Sequence, residues 1–307
     1  MSAVQGLTNK RGESTNESRD NPECAVCHGN DWVSVSARSL PWLSNCGNCG
    51  MQRVFPVPAT VELDEIYGKD YFRRFGAAEK RAAYETMKRE NAANYLEQIA
   101  VYSSSGSLLD VGCGLGENLV VGKERDWQVF GVDRNEFAIR FCNESVFGSA
   151  TVLDWERESW IGPQVDLVMF CDVIEHFLRP DEALRRANNS LRQHGLIFLT
   201  TPNVESIWAR LLGHRWWHYH IDHLWYFSRK ALCQLAENAG FEVLMCGPTK
   251  KRFALRYIVS ILAHSEKHVR GKWLSSQLLR FLPDRVLAIQ LPPIKEGLTL
   301  IARKVGS

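Results

Sequence analysis

The chain has 307 residues, 45% of them hydrophobic and 23% charged, with a formal net charge of +2. That length supports one sizeable core plus a small second unit, and a charge near neutral gives no overall pull toward nucleic acid. No run of about 18 apolar residues occurs, so a transmembrane helix is not expected.

The first twenty residues, MSAVQGLTNKRGESTNESRD, are polar. They predict a disordered tail over 1–21 and lack the apolar core of a signal peptide. The expectation is a cytoplasmic protein in a reducing setting. Nine cysteines are then poor disulfide partners and better metal ligands or buried apolar residues.

A cysteine-rich unit spans 22–58. Cys24-Ala-Val-Cys27 and Cys46-Gly-Asn-Cys49 form C-x2-C-x18-C-x2-C. This is zinc-ribbon spacing, and four thiolates complete a closed tetrahedral Zn2+ site with no position open for catalysis. A redox dithiol and an iron–sulfur cluster are the rival readings of the same four residues. His28, beside the first pair, is expected to be solvated. Cys142, Cys233 and Cys246, with Cys113 and Cys171, are most simply small buried residues.

A helical connector is predicted over 59–104. In AAEKRAAYETMKRENAANYLEQIAVY, Tyr84, Met87, Ala92, Tyr95, Leu96 and Ile99 recur at near-helical spacing. From 105 to 307, short apolar runs alternate with helix-length segments. The runs are SLLDV, QVFGVD, ATVLD, VDLVMF, LIFLTT, EVLMC and LTLIARK. Such alternation predicts an α/β fold with a mostly parallel sheet and helices on both faces. Gly195 and Gly240 stand at helix-to-strand junctions, where a helix end favours glycine.

The first of these strands runs into Asp110-Val-Gly-Cys-Gly-Leu-Gly116, with a helix predicted near Glu117. Glycines at such a turn let backbone approach a ligand. A dinucleotide site has G-x-G-x-x-G, whereas the glycines here, 112, 114 and 116, give G-x-G-x-G. The turn resembles motif I of the class I S-adenosylmethionine (SAM) methyltransferases. Gly131-Val-Asp133, Phe170-Cys-Asp-Val-Ile-Glu-His176, Thr200-Thr-Pro-Asn203, His223 through Ser228 and Phe241-Glu-Val resemble later family segments in order. The resemblance covers about 108–304 and is nearest to the branch of ubiquinone-type O-methyltransferases and bacterial small-molecule and glycan methyltransferases. It implies a Rossmann-like, seven-stranded fold that binds SAM. It places Asp133 at the ribose hydroxyls, Asp154 at the adenine amine and Trp155 over the adenine ring. It draws Asp110, Gly112, Cys113, Gly114, Gly116, Arg134, Cys171 and Asp172 into the cofactor site.

Methyl transfer needs the acceptor held in line with an activated methyl group, and a hydroxyl acceptor also needs a general base. The resemblance favours His223 for that role, with His176 second. His223 lies in RWWHYHIDHLWYFS (215–228), which holds three histidines and six aromatics. That stretch is expected to face or lid the acceptor pocket. A metal site of His218, His220 and His223 is the sharper alternative, and burial of the aromatics in the core the plainer one.

The insertion 250–293 is the last feature. Residues 250–307 carry twelve Lys or Arg against Glu266, Asp284 and Glu296. RYIVSILAHSEKH and KWLSSQLLRFLPDRVLAI repeat apolar residues at helical spacing. They predict either a helical cap over the sheet or a basic amphipathic contact with the inner face of a membrane. The leading functional expectation is methyl transfer to an oxygen of a small-molecule, sugar or lipid-linked glycan acceptor. An RNA or protein methyltransferase that recognises its target through the ribbon is one rival. A non-catalytic SAM-fold scaffold is the other. Nucleic acid is the less favoured partner, since CDVIEH stands where base N-methylation would call for an N-P-P-Y tetrad.

Overall fold

The computed structural model describes residues 23–35, 40, 42–57, 78–146, 148–264, 277–287, 289, 291 and 295–306. The expected tail, residues 59–77 of the expected connector, and 265–276 of the insertion lie outside the described residues.

Three short strands come first: β1 (Trp32–Ser34), β2 (Leu43–Cys46) and β3 (Gln52–Val54). Helix α1 (Ala78–Ile99) follows. Then come β4 (Gly106–Val111), α2 (Glu117–Lys123), β5 (Trp127–Asp133), α3 (Glu136–Val146), β6 (Ala150–Val152) and β7 (Val165–Cys171). The chain continues through a 3-10 turn (Ile174–His176), α4 (Pro180–Ser190), β8 (Leu191–Pro202), α5 (Ile207–Leu212), β9 (Trp225–Tyr226) and α6 (Arg229–Asn238). It ends with β10 (Phe241–Pro248), α7 (Leu255–His264), α8 (Asp284–Leu287) and β11 (Gly297–Lys304).

All seven apolar runs become strands of one sheet, ordered β10-β11-β8-β7-β4-β5-β6. Every pairing is parallel except those of β11, which runs antiparallel to both β8 and β10. The side-chain period of two splits each strand between two cores. Leu109, Val111, Val168, Phe170, Ile197 and Leu199 face one cluster. Leu108, Leu167, Met169, Leu196 and Phe198 face the other, beneath α1, α2 and α3. The strands are buried on both faces, which is why they read as continuous apolar runs.

The local signals hold in part. Gly240 follows α6 with φ 83, the left-handed residue a helix end calls for. Gly195 is not at a helix end. α4 stops at Ser190, β8 begins at Leu191, and the β7–β8 register shifts between Val165 and Leu167. His194 takes the left-handed conformation there, with φ 63.

The cysteine unit is built into the same body. β1, β2 and β3 form a second sheet whose outer strand is β9, drawn from the aromatic–histidine stretch. Gln52 pairs with Tyr226 and Arg53 with Trp225, and the Val54 amide donates to Leu224 O at 2.9 Å. Cys24, Leu43, Met51 and Val54 share one hydrophobic cluster with α4, α6 and the central strands. Asn238 at the end of α6 donates to Val26 O at 2.7 Å. Among the described residues no helix is long and apolar enough to cross a membrane.

Candidate cofactor and active site

The strand order reverses beside β4. From β4 the chain adds β5 and β6 on one side, then β7 and β8 on the other. Ligands of open α/β sheets bind in the crevice at such a switch, outside the carboxyl ends of the strands. Gly112 follows β4 with φ 71, and a Cβ there would stand 2.5 Å from Val173, which follows β7. Gly114 (φ 53) and Gly116 (φ 91) complete the turn, and Gly116 caps α2. The fold therefore requires glycine at this crossing.

Two carboxylates flank the turn. Asp110 is fully buried. Its Oδ2 accepts from Asn118 Nδ2 at 3.0 Å, while its Oδ1 is buried with no hydrogen-bond partner. Burial pushes its carboxyl up to about 7, against the lowering effect of Asn118. Asp133 ends β5. Its Oδ2 accepts from the Gly114 amide at 3.0 Å and its Oδ1 from the Asn135 amide at 2.8 Å. Burial raises its pKa as well. Each of these oxygens keeps a further lone pair, so the pair can accept two vicinal hydroxyls. The unpartnered Asp110 oxygen suits a cationic group. The donor set thus fits SAM, which carries a diol, an ammonium and a sulfonium.

The other sites expected from the resemblance divide. Asp154 stands after β6, where its Oδ1 accepts from the Glu156 amide at 3.1 Å. Trp155 is in the core. Its indole donates to Ala183 O at 3.1 Å and packs edge-on to Phe170 at 6.1 Å, so its ring does not form a wall of the crevice. The face of α4 beneath it is apolar and takes the side chain. Cys113 is buried against Gly131. Arg134 is exposed, and Cys171 half-buried at the end of β7.

Asp172 takes a left-handed conformation, φ 58, just past β7. Its Oδ1 accepts from Thr200 Oγ1 at 3.1 Å and pairs with Lys251 Nζ. Burial opposes the charge on Asp172, but Lys251 and Lys88 outweigh it and hold the carboxyl below its usual range. Lys88 lies over the Tyr84 ring at 5.6 Å. Neither lysine stood out in the sequence. Tyr84, Lys88 and Tyr95 are spaced 4 and 7 apart on α1, so one charged residue in a largely apolar and aromatic stripe was the available signal. For Lys251 there was none. Beside the glycine turn, Tyr84, Leu115, Glu117 and Phe141 line a shallow opening.

The histidines gather one strand over. The His176 and His223 rings are 4.7 Å apart, and His218 stacks on His223 at 5.8 Å. His176 Nδ1 meets Asp222 O at 2.8 Å. Glu175 is buried; its Oε2 accepts from Thr201 Oγ1 at 3.0 Å, and its Oε1 has no partner. The set whose ligating atoms fall within 4.8 Å of one another is Glu175, His176 and His223. The expected trio of His218, His220 and His223 does not form such a set, although the His220 ring is 5.3 Å from that of His223. His223 Nδ1 is buried without a partner. Burial, followed by the charges of His176, His220 and His218, holds its pKa well below the usual histidine value. His223 is therefore neutral near pH 7 and able to accept a proton. Of the surrounding aromatics, Trp216, Trp225, Tyr226 and Phe227 are fully buried core. The stretch is mainly the joint between the two sheets, and His223 sits at the site end of that joint.

In the cysteine unit, Cys24 and Cys49 sulfurs are 3.6 Å apart and Cys27 and Cys46 sulfurs 3.5 Å apart. All four lie within 4.8 Å of one another. A tetrahedron with bonds of about 2.3 Å to zinc has edges of about 3.8 Å, so the set fits the ion. The two knuckles match. The His28 amide donates to Cys24 O at 2.9 Å and the Gly50 amide to Cys46 O at 2.8 Å. His28 points away, its Nδ1 3.1 Å from Glu23.

Residues 83–245, just over half of the chain, match the family model described as a methyltransferase domain. None of the curated proteins matches the chain. Among solved structures it is similar to BH2331 of Bacillus halodurans C-125, described as a methyltransferase, at 17% identity over 70% of this chain and 99% of that one, with a TM-score of 0.52. A chain in the complex of the Haloferax volcanii Trm112 methyltransferase activator with a methyltransferase matches at 16% identity over 78% and 98%, TM-score 0.54. The magnesium protoporphyrin IX methyltransferase ChlM of Synechocystis PCC 6803, which holds bound SAH, matches at 12% identity over 80% and 99%, TM-score 0.50. At these identities the likeness shows the shared fold.

Proposed function

The chain belongs to the class I SAM-dependent methyltransferases, and on that premise we propose that it methylates an oxygen of a small-molecule, sugar or lipid-linked glycan acceptor. The observation that carries the oxygen assignment is His223, neutral and with Nδ1 unpartnered at the carboxyl edge of the sheet. A hydroxyl must lose its proton as it attacks, and a neutral imidazole can take it. SAM, when bound, supplies a methyl group already activated on a sulfonium.

In this reading Asp133 holds the ribose hydroxyls, Asp154 lies at the adenine amine and the Asp110 carboxylate faces the cationic end of the cofactor. Asp172, fixed by Thr200 and Lys251, keeps the β7 turn in place beneath the reacting groups. His176, anchored on Asp222 O, orients His223 edge-on. Zinc in the four-cysteine site is part of the same proposal. With four thiolates as ligands it is structural and takes no part in methyl transfer.

The test is isotope tracing. Purified protein is incubated with SAM carrying a trideuterated methyl group and with separate host fractions of polar metabolites, lipids, polysaccharide, RNA and protein. Mass spectrometry locates the label. Label on an oxygen in the metabolite, lipid or glycan fraction is the expected result. Label confined to RNA or protein overturns the acceptor assignment and makes the ribbon a recognition surface.

A further inference from the structure

Eleven large hydrophobic residues are exposed among the described residues, and five of them fall in just two segments. Ile207 (65% exposed), Trp208 (39%) and Leu211 (71%) are on α5, and Phe281 (71%) and Ile289 (52%) are in the C-terminal insertion. The topology puts both segments at one end of the molecule. β8 and β10 run in the same direction, since each is antiparallel to β11. The first segment leaves the carboxyl end of β8 and the second the carboxyl end of β10. They meet where the Asn203 amide donates to Glu296 O at 3.1 Å. This is also the edge that carries the glycine turn and His223.

The α5 ridge is turned inside out for a soluble surface. Ser206 caps the helix, accepting from the Ala209 amide at 3.1 Å, and Ala209 is its buried contact with the core. Ile207 and Leu211, four apart, then share one outward face, and Trp208 beside them packs on Trp217 at 5.8 Å. Arg210, His214 and Arg215 flank that face and are exposed. Residues 206–221 hold two arginines, three histidines and no carboxylate. In the second segment Arg280 and Arg285 are exposed beside Phe281 and Ile289, and 250–296 carries ten Lys or Arg against three acidic residues.

We propose that this end of the molecule docks on an anionic bilayer surface, with Ile207, Trp208 and Leu211 entering the headgroup boundary and Arg210 and Arg215 meeting lipid phosphates. Aliphatic tips with a tryptophan, flanked by arginines, are the composition an interfacial segment needs. The same edge carries His223, so docking turns the proposed acceptor side toward the membrane. The proposal is independent of which atom is methylated.

The test is sedimentation of the full chain with sucrose-loaded vesicles, either pure phosphatidylcholine or seven parts phosphatidylcholine to three of phosphatidylglycerol, at 0.05 and about 0.15 M salt. Binding to the anionic vesicles that weakens with salt is expected. Ile207→Ser with Leu211→Ser lowers lipid affinity about tenfold, and each of Arg210→Gln and Arg215→Gln lowers it about fivefold. Unchanged SAM affinity and circular dichroism certify the fold of each variant, since all four positions are exposed. No binding to either vesicle, or binding that the double serine variant retains, overturns the proposal. Self-association in sedimentation equilibrium that the same variant abolishes also overturns it, and assigns the face to a second copy of the chain.

Discussion

The Arg53 guanidinium lies 4.5 Å from the ring centroid of Trp225, with the Trp32 ring 5.1 Å away. Arg53 is in the cysteine unit and Trp225 in the methyltransferase domain, so one buried cation is packed between indoles from both. Burial lowers its pKa to about 10, and it remains charged. Cation–π contacts in such desolvated settings are each worth about 2 kcal/mol.

Loss of the four-cysteine site should therefore destabilise the whole protein. With the two sheets joined at β3 and β9, calorimetry is expected to show one unfolding transition. Cys27→Ser should lower its midpoint by several degrees or more. Arg53→Ala should do the same on a smaller scale, costing about 2 to 3 kcal/mol. Two separate transitions, with only the smaller one moved by Cys27→Ser, would show that the ribbon folds by itself.

Asp133→Ala should weaken SAM binding by roughly ten- to a hundredfold, the effect of losing hydrogen bonds to a charged group at about 1.5–3 kcal/mol. It also frees the Gly114 amide, which Asp133 Oδ2 accepts from at 3.0 Å. Titration calorimetry reads the affinity directly. An unchanged affinity would move the ribose site elsewhere.

The sequence carried the sheet and the cofactor turn because both are local. Seven apolar runs at strand length and three glycines before a helix need no knowledge of the rest of the fold. The clustering of the four cysteines was equally legible, since two C-x2-C pairs declare it by spacing. Pairings across the chain were not. Nothing in RWWHYHIDHLWYFS says that Trp225 and Tyr226 pair with Arg53 and Gln52, more than 170 residues earlier. Trp155 shows the same limit. The resemblance expects it to cover the adenine, yet its indole finds Ala183 O and the apolar core instead. Lys251 is hidden for a further reason, because a lysine in a basic insertion has no feature that marks it as the partner of Asp172.

Asp110 should couple cofactor binding to pH. Its carboxyl is pushed up to about 7 by burial, against an ordinary value near 4. In the empty protein the native state thus holds a proton that the unfolded state releases between about pH 4 and 7. Stability falls as pH rises through that window, by an amount on the order of a few kcal/mol. A cationic ligand facing Asp110 reverses the preference. Binding near pH 7 should expel a fraction of a proton, and affinity should rise through pH 7 and then level. Calorimetry in buffers of different ionisation enthalpy measures that proton. Asp110→Asn should abolish it; proton release that survives this substitution belongs to another group.

His223→Gln should lower kcat by about a hundred- to ten-thousandfold, the usual contribution of a general base, while leaving SAM affinity within a factor of two or three. The pH profile provides the finer check. Burial holds His223 well below the ordinary histidine pKa, so the base is already free of its proton at pH 6.5. The acidic limb of kcat should accordingly fall well below the ordinary histidine range near 6.5, and the variant should lack it. The same shift destabilises the protein in acid. As pH drops through about 6.5 the unfolded state takes up a proton that native His223 refuses, and stability declines with it. A limb that persists in His223→Gln would take the role of base away from His223.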